Sequence, residues 1–266
     1  MDIDLYCDYV NAVNEARGPA WRYDEMKGCG AKFDNFFTAR SYDKYHQTFR
    51  DYRRETEQIV TALGLDSSAA VLDMGCGTGA FAIHAAPHYR KIYAVDIARA
   101  MLCRARRKAK KAGLTNIEFR HGGFLTYEHT DELVDAIVSV VALHHLPDFW
   151  KLVGLRRLAS MLKPNGRFYL FDVVFAFDIT HYASALQGFV EKMSVRTTPD
   201  GRKVAATHVR QEYSTCGWIM EGLLERAGFR IDEADYRDEF LAVYLCTRKA
   251  EPAAAEPLTT ASRQLR

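Results

Sequence analysis

Val71-Leu72-Asp73-Met74-Gly75-Cys76-Gly77-Thr78-Gly79 is the stretch that decides the fold of this 266-residue chain. Its apolar start predicts a buried strand, and its three alternating glycines predict a loop whose backbone can approach a ligand closely. A helical pattern begins at Ala80, directly after the loop. A strand, a glycine loop and a helix in this order predict a ligand site at the carboxyl end of a parallel sheet.

Short apolar runs alternate with segments of helical period on both sides of this loop, which is typical of a parallel sheet covered by helices. The predicted strands occupy residues 70–74, 92–97, 117–120, 136–141 and 167–174, and the predicted helices occupy 80–86, 98–112, 148–162 and 218–227. Two last strands, at 230–234 and 240–247, are joined by a link short enough for an antiparallel pair. We therefore predict an α/β fold with a Rossmann-like, doubly wound sheet of seven strands and an antiparallel C-terminal strand.

Changes in composition divide the chain into regions. Residues 1–60 are rich in aromatic side chains and predict a helical N-terminal cap, and residues 61–250 carry the main domain. A helical insertion is predicted at about 175–213, because this stretch is longer than an ordinary connection and has its own apolar stripe. That stripe consists of Ile179, Tyr182, Leu186, Phe189, Val190 and Met193. Residues 251–266 are rich in alanine and polar groups and predict a disordered tail.

The overall composition narrows the classes of partner. The formal charge of +2 gives no strong field toward nucleic acid or an acidic membrane, and a basic run at 104–111 is typical of a solvated helix face. The six cysteines have no paired spacing, so we expect free thiols and no metal site. The N-terminus has no signal-peptide pattern and the chain no membrane-length apolar run, which predicts a cytoplasmic protein. The oligomeric state stays open.

The glycine loop is compatible with two kinds of cofactor. Its spacing also fits the looser dinucleotide fingerprint, in which a pyrophosphate lies at the helix N-terminus. Asp73 disfavours pyrophosphate by repulsion, whereas it favours the ammonium and sulfonium groups of S-adenosylmethionine, directly or through water. Asp96 ends the next strand, 17 residues after Gly79, and can accept hydrogen bonds from an adenosine ribose or cap the helix that follows.

At this point the sequence resembles the class I S-adenosylmethionine-dependent methyltransferases, and within them the small-molecule branch typified by ubiquinone and menaquinone biosynthesis enzymes. The resemblance covers roughly residues 40 to 175. Besides the glycine loop, it is carried by these motifs: Ser-Tyr-Asp at 41–43, Ala-Val-Asp-Ile at 94–97, Gly-Phe-Leu-Thr at 123–126, Ala-Leu-His-His-Leu at 142–146 and Leu-Lys-Pro-Asn-Gly at 162–166. Residues 61–250 would then be the methyltransferase domain.

The resemblance implies a site for S-adenosylmethionine. Its predicted residues are Tyr42, Asp73, Gly75, Cys76, Gly77, Gly79, Asp96, Ile97, Met101, Gly123, Phe124, Val140 and Val141. Backbone groups of Gly75 and of Val140 or Val141 would hold the methionine ammonium, and the Tyr42 hydroxyl would reach the carboxylate.

The same resemblance implies that Asp96 holds the ribose and that Ile97 and Met101 cover one face of adenine. Many members place an aspartate just before the position of Phe124, where it accepts from the adenine amino group. This chain has glycine there, at position 123. Adenine recognition is therefore expected to rest on backbone groups and on stacking by Phe124 or its neighbours.

Methyl transfer from a sulfonium is an in-line displacement, so the protein chiefly aligns a small-molecule acceptor and excludes water. A base is needed only for an acceptor that arrives protonated, and His145 or His144 is the candidate; the alternative role for either is to shape the site. Two alternatives stay open. An NAD(P)-dependent oxidoreductase would need a Tyr-x-x-x-Lys pair near strand five, where Tyr169 has Val173 at that spacing. A non-catalytic S-adenosylmethionine-binding protein would retain the cofactor site alone.

Overall fold

The computed structural model describes residues 21–30, 42–43, 46–196 and 201–250. Its centre is a mainly parallel sheet, in the order β3-β2-β1-β4-β5-β8-β7, with β6 beside β5. The strands are β1 (Ala70–Met74), β2 (Lys91–Asp96), β3 (Ile117–His121), β4 (Val134–Val140), β5 (Leu162–Phe175), β6 (Thr215–Cys216), β7 (Phe229–Arg237) and β8 (Leu241–Arg248). β1 to β5 are parallel, and β8 pairs antiparallel with β5 and β7. The predicted fold is confirmed, with the two-residue β6 added to the seven strands.

The helices that cover the sheet are α1 (Tyr52–Leu63), α2 (Ala80–Ala85), α3 (Arg99–Lys111), α4 (Asp148–Met161), α5 (Tyr182–Arg196), α6 (Gly201–Gln211) and α7 (Gly217–Arg226). α1 shows how the local sequence sets such bounds. Asp51 accepts a hydrogen bond from Arg54 N at its start, and Gly64 adopts a left-handed φ of 60° at its end. Within the described ranges, no helix has the length and apolarity that crossing a bilayer requires.

The sheet separates two apolar layers, and β1 shows why. Ala70 and Leu72 belong to one buried cluster, whereas Val71 between them belongs to the other, because successive side chains of a strand point to opposite faces. Ile59 and Leu63 of α1 join the second cluster. α1 therefore packs as part of the main domain and runs across residue 60, where the sequence placed the end of the cap.

The segment after β5 forms α5 and α6, which pack together through Phe189 and Ala205 and onto Phe240. The predicted apolar stripe is wrong at its start: Ile179 and Tyr182 are 68% and 56% exposed, because they lie on and just after a short 3₁₀ turn that faces away from this cluster. The predicted tail at 251–266 and most of the predicted cap, residues 1–20 and 31–41, lie outside the described residues.

Candidate functional site

A cavity of about 500 Å³ lies at the carboxyl ends of β1, β2 and β4, within the range of about 300–1,000 Å³ usual for small-molecule sites. A smaller cavity of about 50 Å³ adjoins it, and the two share Tyr42, Gly75 and Gly77 in their walls. The position agrees with the sequence prediction of a ligand site at this edge of the sheet.

Most of the predicted site residues meet at these cavities. The large cavity is lined by Tyr42, Gly75, Gly77, Asp96, Ile97, Met101, Gly123, Phe124, Val141 and His145. Asp73, Cys76 and Val140 line the small one. Gly79 and His144 lie outside both linings. Gly79 instead begins α2 with a left-handed φ of 77°, and a Cβ there would come within 3.1 Å of Ala105 Cβ on α3.

Gly75 is the residue that brings the loop after β1 close to the loop after β4. Its φ is 79°, and a Cβ at this position would lie 2.4 Å from the Cβ of Ala142. Two backbone hydrogen bonds hold the loop against β2: the N–H groups of Gly75 and Cys76 both donate to Val95 O, at 2.8 and 2.9 Å. Only glycine satisfies both the conformation and the close approach.

Asp96 holds two elements in place at the wall of the large cavity. Its Oδ2 accepts from Gly77 N and its Oδ1 from Ala98 N, each at 2.7 Å. The first hydrogen bond ties the glycine loop to β2, and the second supports the turn that leads into α3. The helix cap that the sequence offered for Asp96 is wrong: Ala98 is the N-cap of α3 and no side chain caps it, because Asp96 accepts from the amide of Ala98 itself, before the helix begins.

Asp73 is a buried acid beside the small cavity. Burial, and then the charge of Asp96, raise the pKa of Asp73 to about 8. No group among the described residues donates a hydrogen bond to its Oδ2. A buried carboxylate oxygen without a donor is costly, so a cationic group bound here would be stabilised. This orphaned acceptor fits the ammonium end of S-adenosylmethionine.

Arg50 supplies the opposite charge in the wall of the small cavity, and sequence reasoning missed it. Its guanidinium forms a bidentate ion pair with Glu55: Nε donates to Oε1 at 3.0 Å and Nη2 donates to Oε2 at 2.6 Å. Tyr42 also lines this cavity, and burial raises its pKa to about 12, so its hydroxyl keeps its proton. With Glu55 also in its wall, the cavity is surrounded by two acids, a cation and a hydroxyl, a set that suits a zwitterionic amino acid.

The segment that carries Tyr42 is anchored to α3. Asp43 accepts from Lys108 Nζ at 2.9 Å and from the hydroxyl of Thr78, and it lies 3.5 Å from Arg104 Nε. The expectation that the basic run of α3 is only a solvated face is thus wrong for these two cations, because a buried carboxylate from outside the helix neutralises them.

His144 is buried between two carboxylates. Its Nδ1 lies 2.5 Å from Asp172 Oδ1, its backbone N donates to Asp172 Oδ2 at 3.1 Å, and its Nε2 lies 3.4 Å from Glu212 Oε2. Burial lowers the pKa of His144, but Asp172 and Glu212 outweigh it and raise the pKa to about 9. His208 contacts the same oxygen of Glu212. The cluster joins the loop after β4 to the end of α6.

His145 lines the large cavity and, unlike the protonated His144, is uncharged. Burial, and then the charge of His144, lower the pKa of His145 to about 3. Its Nδ1 lies 3.4 Å from the Sγ of Cys29, whose own pKa burial raises to about 11. His145 is therefore a neutral ring at physiological pH, suited to hydrogen bonding and weak as a base.

Three of these side chains could serve as metal ligands. The donor atoms of His144, His145 and Glu212 lie within 4.8 Å of one another, the one such group found in the part of the chain that the structure describes. Protonation of His144 leaves its ring without a lone pair for a metal. The expectation that no metal binds stays a prediction.

Comparison with known proteins bears on the chemistry of this site. A family model described as a methyltransferase domain matches residues 71–166. An uncharacterised methyltransferase of Bacillus cereus is 28% identical over 216 residues, covering 76% of this chain and 92% of that protein.

Two solved structures share the fold. An S-adenosylmethionine-dependent methyltransferase from Clostridium acetobutylicum has a TM-score of 0.61 at 14% identity, over 80% of this chain and 98% of that one. Magnesium protoporphyrin IX methyltransferase from Synechocystis, with S-adenosylmethionine bound, has a TM-score of 0.57 at 17% identity, over 87% and 100%. At these identities the two structures show a common fold.

Proposed function

The chain carries a methyltransferase domain, matched over residues 71–166, and we propose that it transfers the methyl group of S-adenosylmethionine to a small-molecule nucleophile and releases S-adenosylhomocysteine. The observation that carries the proposal is the pair of adjoining cavities, a small charged one and a large, mostly apolar one. When bound, the cofactor supplies a methyl group on a sulfonium, which is already a good leaving group. The chain's own residues bind the cofactor, align the acceptor with the methyl group and exclude water.

The small cavity is the proposed site of the methionine end. Asp73 would face the ammonium and Arg50 and Tyr42 the carboxylate, because each supplies the complementary charge or donor. Backbone groups of Gly75 and Val140 complete the wall. Arg50 is an addition to the site residues predicted from the sequence, which assigned the methionine carboxylate of the cofactor to Tyr42 alone.

The large cavity is the proposed site of the adenosine and of the acceptor. Asp96 would accept from the ribose, while Ile97 and Met101 offer apolar surface for adenine. The acceptor would lie against His145 and Leu146. A space of about 500 Å³ shared by both molecules favours a small acceptor. The Ala-Leu-His-His-Leu motif in this wall also supports the branch similar to the ubiquinone and menaquinone methyltransferases.

His145 is the residue proposed to contact the acceptor. A neutral imidazole can accept or donate one hydrogen bond and so fix the orientation of a hydroxyl, thiol or amine. The low pKa of His145 makes proton removal from the acceptor a minor contribution. His144 acts through its neighbours as a positioning residue. We propose that no metal takes part, so chelation with EDTA should leave turnover unchanged, and a loss restored by one metal would contradict this.

The test of the cofactor class is thermal unfolding with added ligand. S-adenosylhomocysteine at 100 times its Kd should stabilise the protein by about 2.7 kcal/mol, because it binds only the native state. NAD at the same concentration should leave Tm unchanged. Stabilisation by NAD alone would favour the oxidoreductase. Binding of S-adenosylhomocysteine with no methyl transfer to any acceptor in a broad small-molecule panel would favour the non-catalytic alternative.

A further inference from the structure

Glu25 is a buried acid in the wall of the large cavity, and it comes from a part of the chain remote in sequence from the other wall residues. It begins a three-residue 3₁₀ turn, Glu25–Lys27, that Asp24 caps by accepting from Met26 N at 3.2 Å. The residue is only 5% exposed. Its Oε1 accepts from Leu125 N at 2.9 Å and from Thr126 Oγ1 at 2.7 Å. The turn is thus fastened to the loop that follows β3.

The carboxylate of Glu25 fills the space that a side chain at position 123 would need. A Cβ built on Gly123 would lie 2.6 Å from Oε2 of Glu25 and 2.7 Å from Cγ2 of Ile97. The φ of Gly123 lies outside the left-handed region, so its backbone conformation does not demand glycine. Glycine is required at position 123 because a larger side chain would collide with Glu25 and Ile97. An acidic group therefore stands beside position 123 although the sequence there carries none.

The surroundings of this carboxylate define the ligand that it would recognise. Ile97, Met101 and Phe124 give the cavity apolar surface on which a flat ring can pack, and Asp96 lies at the wall that would face a ribose. The exocyclic amino group of adenine is a hydrogen-bond donor, and burying it without an acceptor is costly. Glu25 is the acidic side chain on this wall besides Asp96.

We propose that Glu25 accepts a hydrogen bond from the adenine amino group of the cofactor, doing from the N-terminal segment what an acid at position 123 would do. The proposal rests on the proposed function. It implies that the bound cofactor adds one more contact to the Glu25–Lys27 turn, which is already fastened to the loop after β3 by Glu25 and by the side chain of Arg22, bonded to Leu125 O.

The surroundings of Glu25 raise its pKa. Burial raises it, and hydrogen bonds from Thr126 and Leu125 and the charge of Arg157 offset only part of that effect. The Arg157 guanidinium is itself held by Phe124 O at 3.1 Å and Tyr127 O at 2.6 Å. The acid thus has a fixed cation nearby and two donors on Oε1, while Oε2 lies beside Gly123, which lines the same cavity.

The test compares S-adenosylhomocysteine with S-inosylhomocysteine, which carries a 6-oxo group in place of the amino group. The wild-type protein should bind the adenine compound tighter by about tenfold or more, the effect of one charge-assisted hydrogen bond. In Glu25→Gln the amide oxygen must stay at the Oε1 position to serve Leu125 N and Thr126. The amide nitrogen then takes the Oε2 position and presents a donor, so the preference should vanish or reverse.

A rescue variant and a control complete the design. Glu25→Ala should lose the preference, and Glu25→Ala with Gly123→Asp should regain it, because the vacated space admits the new side chain once Ile97 shifts. Glu128→Ala is the control: it removes another acid paired with Arg157, at 2.9 Å, that lies outside the cavity lining, and it should keep the wild-type preference.

The outcomes separate two failures. Unchanged preference in folded Glu25→Gln overturns the role of Glu25 and leaves the proposed function standing. Absence of binding of either compound to the wild-type protein would instead overturn the proposed function. Should Glu25→Gln not fold, hydrogen exchange on the wild-type protein decides: S-adenosylhomocysteine should protect the amides of residues 25–27 more than S-inosylhomocysteine does, and equal protection would overturn the proposal.

Discussion

Nδ1 of His144 lies 2.5 Å from Oδ1 of Asp172, deep in the molecule, with the side chains 4% and 0% exposed. The pair joins the loop after β4 to β5. Glu212, which contacts the other ring nitrogen of His144, links the same loop to the end of α6. The histidine holds a proton because two carboxylates surround it. The loop that carries His145 into the cavity is therefore positioned by a buried charge network.

Stability should fall on the alkaline side because of this network. The pKa of His144 in the folded state, about 9, is above its unfolded value of about 6.5. Its contribution is therefore complete below pH 6.5 and is lost as the pH rises through 9. The pKa values of Asp172 and Glu212 are lowered, so their contributions are lost only in acid. Urea unfolding from pH 7 to 10 should show the decline.

His144→Gln should lower the free energy of unfolding at pH 7 by about 3–5 kcal/mol, because it removes the positive charge that balances the two buried acids. It should also flatten the dependence of that free energy on pH between 7 and 10. His88→Gln, at an exposed position, is the matched control and should retain the wild-type slope. Equal slopes in wild type and His144→Gln would show that His144 does not titrate in this range.

Gly75→Ala should damage both stability and cofactor binding. Its methyl group would meet Ala142, and its φ of 79° costs a non-glycine residue about 1–2 kcal/mol. Gly64→Ala is the control, since its φ is 60° and a Cβ there meets nothing within 4 Å. Both variants should have a lower Tm than the wild-type protein. Only Gly75→Ala should weaken S-adenosylhomocysteine binding, with a Kd that calorimetry shows to be higher by at least about tenfold. Equal affinities would remove Gly75 from the site.

Asp73→Asn should move stability and affinity in opposite directions. A carboxyl whose pKa is raised to about 8 destabilises the fold increasingly from its unfolded pKa of about 3.9 up to pH 8, so the amide should raise Tm near pH 7.5. It should also weaken S-adenosylhomocysteine binding, by about 1–3 kcal/mol, because the partner proposed for the ammonium is lost. Wild-type binding below pH 8 should release a proton, measured by calorimetry in buffers of different ionisation enthalpy. Tighter binding by Asp73→Asn would exclude Asp73 as that partner.

The sequence predicted the parts of the site that depend on local pattern. Gly75, Gly77 and Asp96 could be placed because they follow two adjacent strands whose carboxyl ends must meet at one edge of a parallel sheet. The parallel sheet followed from the alternation of apolar runs with helical segments, and the antiparallel pair of β7 and β8 followed from the short link between its strands. The same reasoning ended β4 one residue late. Val141 lies beyond the strand with a φ of 54°, a turn conformation that its apolar character does not reveal.

The residues that the sequence missed act across long separations. Glu25 and Glu212 reach the site from the N-terminal segment and from the end of α6, where neither spacing nor periodicity links them to the glycine loop. The glycine at position 123, where the resembled family has an aspartate, predicts from the sequence alone that adenine is recognised in another way. Only packing, with the Glu25 carboxylate against Gly123, supplies a candidate for the missing acid.

Asp96→Ala should weaken cofactor binding for two separable reasons. It removes the acceptor proposed for the ribose, and it frees the amides of Gly77 and Ala98 that Asp96 holds at 2.7 Å. We expect a loss of about 1–3 kcal/mol in binding free energy together with a lower Tm. Asp135→Ala is the matched control, because Asp135 also holds a backbone amide, Ala70 N at 2.9 Å, but at the opposite end of β1. It should lower Tm and leave affinity unchanged. If both variants lose affinity in proportion to Tm, Asp96 acts through the fold alone and not as a ribose ligand.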